Sequence, residues 1–579
     1  MRFVVMMACL LQAAIFTSSW GQPKAKSRID ERLLAQIVLT YGQQKMALNQ
    51  SSSTQVNGDT VLYRYRVALP PILDVSLNIV PVHGADGEGE MLQARISCDQ
   101  PLQQDLAVRV PLSWAASSTI TLPMKNGLLK DMTAKESATY RFAGMDSAAG
   151  KLLSIPVVWS AQADGRKHAL FTDPYYSTMF TPAGIEWSYP AKVGLENGAE
   201  TRLIASLAVA GGADDVLGCF FKLAMADVPA GPPWLRDIAM VDYDYMSDGG
   251  QGWYRDIDAL VPVIQERDRK KVVLCLHGWY DWVGRYCYDL ETDQLAETWT
   301  AFGNYPNVSV KFANSKPVSM SLVDMHRRIH YARSRGFRVA LYFADGVLSG
   351  DQLEERAPAP DLVLFTGGWQ GPDTKGKSFC QNPLADRVQR FYLNYAAALL
   401  REYGHEIDAL VWDETFYVEN GSLGTPGLRG YADRAMMQLV KKITRSVHCY
   451  NDKHKTAVAF LTADCIGQHN YAKKALYALV ADGTYHDTGC EPASWSFGIF
   501  PNYRNVLWSC NWYPVTRYRY TEFGVRHYQA PVAVSNGYGN DIGFSEMNPE
   551  QRQQIIDLFE WRKSFTTRLH GLEKLAEYK

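Results

Sequence analysis

At 579 residues the chain exceeds one ordinary hydrophobic core, so two or three domains are expected. Its 59 Lys and Arg nearly cancel its 61 Asp and Glu, and the formal charge of -2 excludes a global field that would draw it to nucleic acid or anionic lipid. The 32 Tyr and 15 Trp suit surfaces that stack on sugars as well as ordinary cores.

Residues 1–21, MRFVVMMACLLQAAIFTSSWG, join an early Arg2 to an apolar run ending at Phe16 and to small residues at Ser19 and Gly21. This is the pattern of a secretory signal peptide cleaved before Gln22, its apolar run being shorter than the ~20 residues of a spanning helix. The mature protein is therefore expected to be secreted or periplasmic, with no membrane span after cleavage. Of ten cysteines, Cys9 leaves with the signal, and the odd remainder has no regular spacing. Cys275, Cys465 and Cys510 lie in apolar runs suited to buried thiols. Neither a CxxC pair nor an HExxH stretch occurs, so neither a metal nor a cofactor is expected.

A helix is predicted over Glu31–Gln44. Residues 60–225 then read as short β-rich runs separated by turn residues, among them VLYRYRVAL, LDVSLNIVPV and TRLIASLAVA, which predicts a β-sandwich. The series closes at the Pro-rich VPAGPPW, so the sandwich domain is set at 22–229 and a second domain at 230–579.

Beyond that junction, apolar runs alternate with helix-like segments. Eight such runs, DIAMV, KVVLCL, FRVALYF, IDALVW, AVAFLT, LYALVA, NVLWSC and APVAV, predict an α/β domain of the (β/α)8 TIM-barrel kind. Asn382 and Pro383 are expected to open a helix that Gly404 ends in a left-handed cap, and Asn548 and Pro549 to open the eighth helix.

In such a barrel the chemistry lies at the C-terminal strand ends. The polar residues following the runs are Asp242 and Asp244 at strand one, His277 at two, Asp345 at three, Asp413 and Glu414 at four, Asp464 at five, Asp482 at six, Asn511 at seven, and Asn536 at eight. One Asp or Asn there is an ordinary strand end or helix cap; repetition around eight strands points to a site. Carboxylates interspersed with Trp, without metal ligands, suit glycosidic bond cleavage, in which one carboxylic acid protonates the leaving oxygen while another carboxylate attacks the anomeric carbon or activates water. The expected partner is an oligosaccharide or glycoside. Trp412 directly precedes Asp413, and alternation along the strand allows it to face away.

The stretch HEIDALVWDETF, preceded by WQGPDTKGKSFCQNPLADRVQRFY, resembles the region around the fourth strand in the clan of retaining α-galactosidases and related α-glycosidases. There an NP helix precedes a strand ending in the nucleophilic Asp. The resemblance implies Asp413 as nucleophile and an acid/base after strand six, where ALVADGTYHDTG offers Asp482 and Asp487; Asp482 is preferred because it directly ends the apolar run. A strand end shifted by one residue would exchange Asp413 for Glu414. By the same resemblance the chain is a retaining exo-α-glycosidase whose sugar is bound among Asp242, Asp244, His277, Trp279, Asp345, Trp412, Asp464, Asn511 and Asn536. The Lys-x-Asp strand ending of many α-galactosidases is replaced here by Val411, Trp412 and Asp413. The alternative reading is a non-catalytic carbohydrate-binding or surface protein that keeps the barrel as a scaffold.

Overall fold

The computed structural model describes most of residues 36–464, and beyond them residues 481–486, 506–509, 533–535 and 544–569; its longer internal breaks lie at 112–118, 143–152, 190–198, 224–230, 302–317, 350–362, 367–378 and 414–428. The expected signal peptide lies outside the described residues. Among them no helix is long and apolar enough to cross a membrane.

The first part consists of two antiparallel sheets, of six and nine strands, whose inner faces share one apolar core. Period-two alternation builds it: in Leu73–Val82 the buried Leu73, Val75, Leu77 and Ile79 alternate with Asp74, Ser76 and Asn78. Over its described part, residues 36–44, the helix expected at Glu31–Gln44 is not there. From Val38 the chain forms a hairpin, Val38–Tyr41 against Gln44–Ala47, turning at Gly42 with φ 58°. Burial of Ile37, Leu39 and Tyr41 at every second residue, and pairing with Leu106–Val110, outweigh the helix-forming composition of the segment.

The second part is an eight-stranded parallel sheet made of β1 (Met240–Asp244), β2 (Val272–Leu276), β3 (Arg338–Asp345), β4 (Ala409–Asp413), β5 (Ala459–Asp464), β6 (Gly483–His486), β7 (Val506–Ser509) and β8 (Ala533–Ser535). Its order is β8-β1-β2-β3-β4-β5-β6-β7, with every described pair parallel. Because β8 returns to pair with β1, this is the strand order of a (β/α)8 barrel read from the seam between β7 and β8. β2 and β4 are buried at every residue, as parallel strands covered on both faces are.

The intervening helices include α1 (Gly252–Leu260), α2 (Leu322–Arg333), α3 (Asp386–Tyr403), α4 (Arg429–His454) and α5 (Pro549–Leu569). Asn548 and Gln551 cap α5 reciprocally, each side chain accepting from the other's backbone N–H at 2.9 and 3.0 Å. Asn382 instead makes a local turn to Leu384 N–H, and α3 begins at Asp386. Gly404 is right-handed, with φ -62°, so it is no left-handed cap. Space explains it better: a Cβ there would lie 2.6 Å from the Tyr450 ring.

The Pro-rich junction docks on the N-terminal end of the sheet. Trp234 donates its Nε1–H to Ala457 O at 2.9 Å, and the Arg338 guanidinium lies 4.5 Å over its ring. Arg338, Arg333 and Val339 N–H converge on the buried Asp408 carboxylate. Such a charge is tolerated inside only when all its acceptor positions are matched in this way. Together these contacts fasten the N-terminal end of the sheet.

Candidate active site

Four of the eight strands, β1, β3, β4 and β5, end in Asp at the C-terminal rim: Asp244, Asp345, Asp413 and Asp464. His277 follows β2 directly. Glu414, Asp487, Asn511 and Asn536 lie outside the described residues, though each continues from a described strand or the residue after one.

Asp413 closes β4 with 8% of its surface exposed. Its direction follows from its neighbour. Trp412 stacks on Tyr392 of α3, with ring centroids 4.9 Å apart at 24°, and touches Phe343 and Phe460 edge-on. Trp412 therefore faces the helix layer, and Asp413, one residue on, faces the opposite side of the sheet. This corrects the placement of Trp412 among the sugar-binding residues: it is fully buried in the outer layer.

The seam between β3 and β4 is fastened at this level. Gly346 donates its N–H to Asp413 O at 2.6 Å, while Trp412 donates its Nε1–H to Gly346 O at 2.7 Å. Gly346 has φ 48°, a left-handed backbone that an L side chain resists. Just before it, a bulge in β3 shifts the register between Tyr342 and Ala344, so that Asp345 pairs with Asp413. Bulges of this kind re-aim strand ends next to functional sites.

Around the rim, His277 is buried against Tyr342, their ring centroids 3.5 Å apart. Burial holds its pKa well below the ordinary histidine value, so the imidazole is neutral at pH 7. Asp242 is buried within β1 rather than beyond its end. Trp279 is not an exposed platform. It is 1% exposed, donates its Nε1–H to Tyr342 O at 3.0 Å and accepts at its carbonyl from Trp299 Nε1–H. These bonds make it a buried brace beneath the rim.

Asp482 is the principal correction. β6 begins after it, at Gly483, so Asp482 precedes the strand; residues 476–480 of LYALVA lie outside the described residues. A short apolar run does not distinguish a buried strand from another buried segment. The pairs Leu410↔Phe460 and Leu461↔Gly483 set Asp482 level with Leu410, three residues below Asp413 and two strands away. That is roughly 10 Å along the strands and roughly 10 Å across them. Asp482 is fully buried, with one oxygen accepting from Phe460 N–H at 2.8 Å and the other 2.6 Å from Nε2 of His448 on α4. Gly231 of the junction packs directly on it, since a Cβ there would lie 2.9 Å from Asp482 Cβ. Its surroundings are those of a structural carboxylate at the N-terminal end.

The rim position at β6 instead belongs to His486, which pairs in register with Asp464 and Ser509 and is followed immediately by Asp487. His486 escaped sequence reasoning; the signal available was the alternation of Thr484 and His486 beyond the Asp482–Gly483 break.

No protein-family model and no curated protein matches the sequence. Among solved structures the chain is similar to the GH36 α-galactosidase AgaA from Geobacillus stearothermophilus, with TM-score 0.52 and 11% identity over 92% of this chain and 73% of that one. The α-galactosidase from Lactobacillus brevis matches with TM-score 0.51 and 10% identity over 92% and 73%. The galactosidase domain of the α-galactosidase-sucrose kinase AgaSK matches with TM-score 0.50 and 11% identity over 92% and 72%. At such identity the likeness is one of fold.

Proposed function

We propose that the eight parallel strands close into a (β/α)8 barrel and that the chain is a retaining exo-α-glycosidase working at its C-terminal mouth. The observation that carries this reading is Asp413, turned away from the helix layer by Trp412 and paired in register with Asp345 at the rim. In the proposed reaction an Asp413 oxygen attacks the anomeric carbon as the bond to the leaving oxygen breaks. Asp487, just beyond β6, gives that oxygen its proton; it then takes a proton from the water that releases the sugar from Asp413. Asp345, Asp464 and Asp244 are proposed to accept hydrogen bonds from hydroxyls of the terminal sugar. α-Galactosides are the first substrates to try, because the similar structures are α-galactosidases.

The deciding experiment is a screen of α- and β-linked aryl glycosides against wild type, Asp413→Asn and Asp487→Asn. Release of the aglycone from an α-glycoside by wild type, and its loss in both variants with the fold intact, is the expected result. Hydrolysis of β-glycosides alone, or an unimpaired Asp413→Asn, overturns it; sugar binding without any release favours a non-catalytic scaffold. We also propose that the chain is exported and cleaved before Gln22, which N-terminal sequencing of the secreted protein checks.

A further inference from the structure

The outer face of the nine-stranded sheet carries a groove of about 400 Å³, within the size range of small-ligand sites. Four successive antiparallel strands build it: Ser53–Asn57, Thr60–Val67, Leu73–Val82 and Glu88–Cys98. Register sets Gln55, Leu62, Asn78 and Gln93 side by side in one row across them, about 14 Å from first strand to last. Asn78 donates to the Gln93 side-chain oxygen at 3.2 Å. Ser76 and Arg95 pair in register beside that row.

A solvated sheet face is ordinarily a mixture of charges. Among the described residues that line the groove none is a carboxylate and Arg95 is the one cation, with Arg64 pairing in register with Ser76 beside it, although 21% of the chain is charged. Each primary amide offers two donors and an acceptor, which matches adjacent hydroxyls of a polyol, and Leu62 at the centre offers an apolar contact for sugar C–H groups. A peptide would dock along a sheet edge or into an apolar groove, and a polyanion would require several cations. We propose that this groove is a second carbohydrate site, distinct from the barrel mouth, that takes a neutral oligosaccharide and holds a glycan chain on the sandwich.

The test is calorimetric titration of neutral tetrasaccharides, α- and β-linked, into the full-length chain carrying Asp413→Asn, with and without Asn78→Ala and Gln93→Ala. The groove pair should weaken one binding event at least tenfold, and in the otherwise wild-type chain it should leave aryl-glycoside turnover unchanged. Should the pair disturb folding, Gln55→Ala with Asn57→Ala on the exposed outer strand gives the same reading. Unchanged isotherms overturn the proposal, as does binding confined to an acidic chain such as oligogalacturonate. Failure of the glycosidase reading would appear separately, as absent aryl-glycoside hydrolysis with the groove isotherm intact.

Discussion

Asp345 and Asp413 stand opposite each other at the ends of β3 and β4 because β3 holds one residue more than its partner. Tyr342 pairs with Val411 and Ala344 with Trp412, so Phe343 is the extra residue; were Phe343 paired with Trp412 in regular register, Asp345 would be level with residue 414. The rim thus depends on a local irregularity as much as on the strand pattern.

Gly346 holds that irregularity in place, its N–H on Asp413 O and its carbonyl under Trp412. Because its φ is 48°, Gly346→Ala should cost about 1–2 kcal/mol in urea denaturation and lower turnover by misaligning the rim. Gly346→Asn should cost less, since Asn visits the left-handed region more readily. Equal losses for Ala and Asn would show that backbone handedness is not the cause.

Trp412 makes an opposite kind of prediction, loss of stability without loss of sugar contact. Its stack on Tyr392 and edge contacts with Phe343 and Phe460 fill the layer between β4 and α3. Trp412→Ala should destabilise by about 3–5 kcal/mol, and Trp412→Phe by much less. If Trp412→Phe kept its melting temperature but raised KM for aryl glycosides tenfold, the side chain would have to face sugar after all.

The Asp482 reassignment is tested by separating stability from chemistry. Removing its carboxylate leaves the buried Phe460 N–H and the partly buried His448 without their partner. Asp482→Ala should therefore cost about 2–6 kcal/mol, at about 1–3 kcal/mol per stranded group. Turnover per folded molecule should stay within about threefold of wild type, a rate change worth less than about 1 kcal/mol in barrier height. Asp487→Asn should do the reverse. An Asp482→Asn variant that is fully stable and inactive would restore Asp482 to the mechanism.

These cases show what the sequence displays and what it hides. The alternation of apolar runs with helical segments makes the order of β1 to β5 legible, and the Asp that closes β4 is visible because a buried run ends on it. Beyond that point run and strand part company. The run LYALVA ends just before β6 begins, while the four-residue β6 contains Thr484 and His486, so hydrophobicity points to an aspartate that precedes the strand. Trp279 and Trp412 are invisible in another way, because composition records a Trp but not whether its Nε1–H meets a backbone carbonyl in the core or a ligand at the rim. The bulge at Phe343 has no signature at all, since it arises from pairing with β4.

The helix layer also holds a titrating clamp. His326 of α2 lies between Glu402 of α3 and Glu406 just beyond it, its Nε2 2.9 Å from one carboxylate and its Nδ1 2.8 Å from the other. Both contacts can be hydrogen bonds only if the ring carries two protons, because ionised carboxylates only accept. Partial burial draws the His326 pKa down, but the two hydrogen bonds and the two negative charges outweigh it and leave the pKa raised. A raised pKa in the folded state contributes stability that is fully present below the ordinary value of 6.5 and is lost as pH climbs through the folded value. The melting temperature should therefore contain a component that falls as pH rises from about 6.5, and it should shrink at high salt because the cluster is partly exposed. In His326→Gln that component should be missing, with melting temperatures lower than wild type below pH 6.5 and converging on it above the folded pKa. Parallel pH profiles for the two proteins would mean that the imidazolium does not hold α2 to α3.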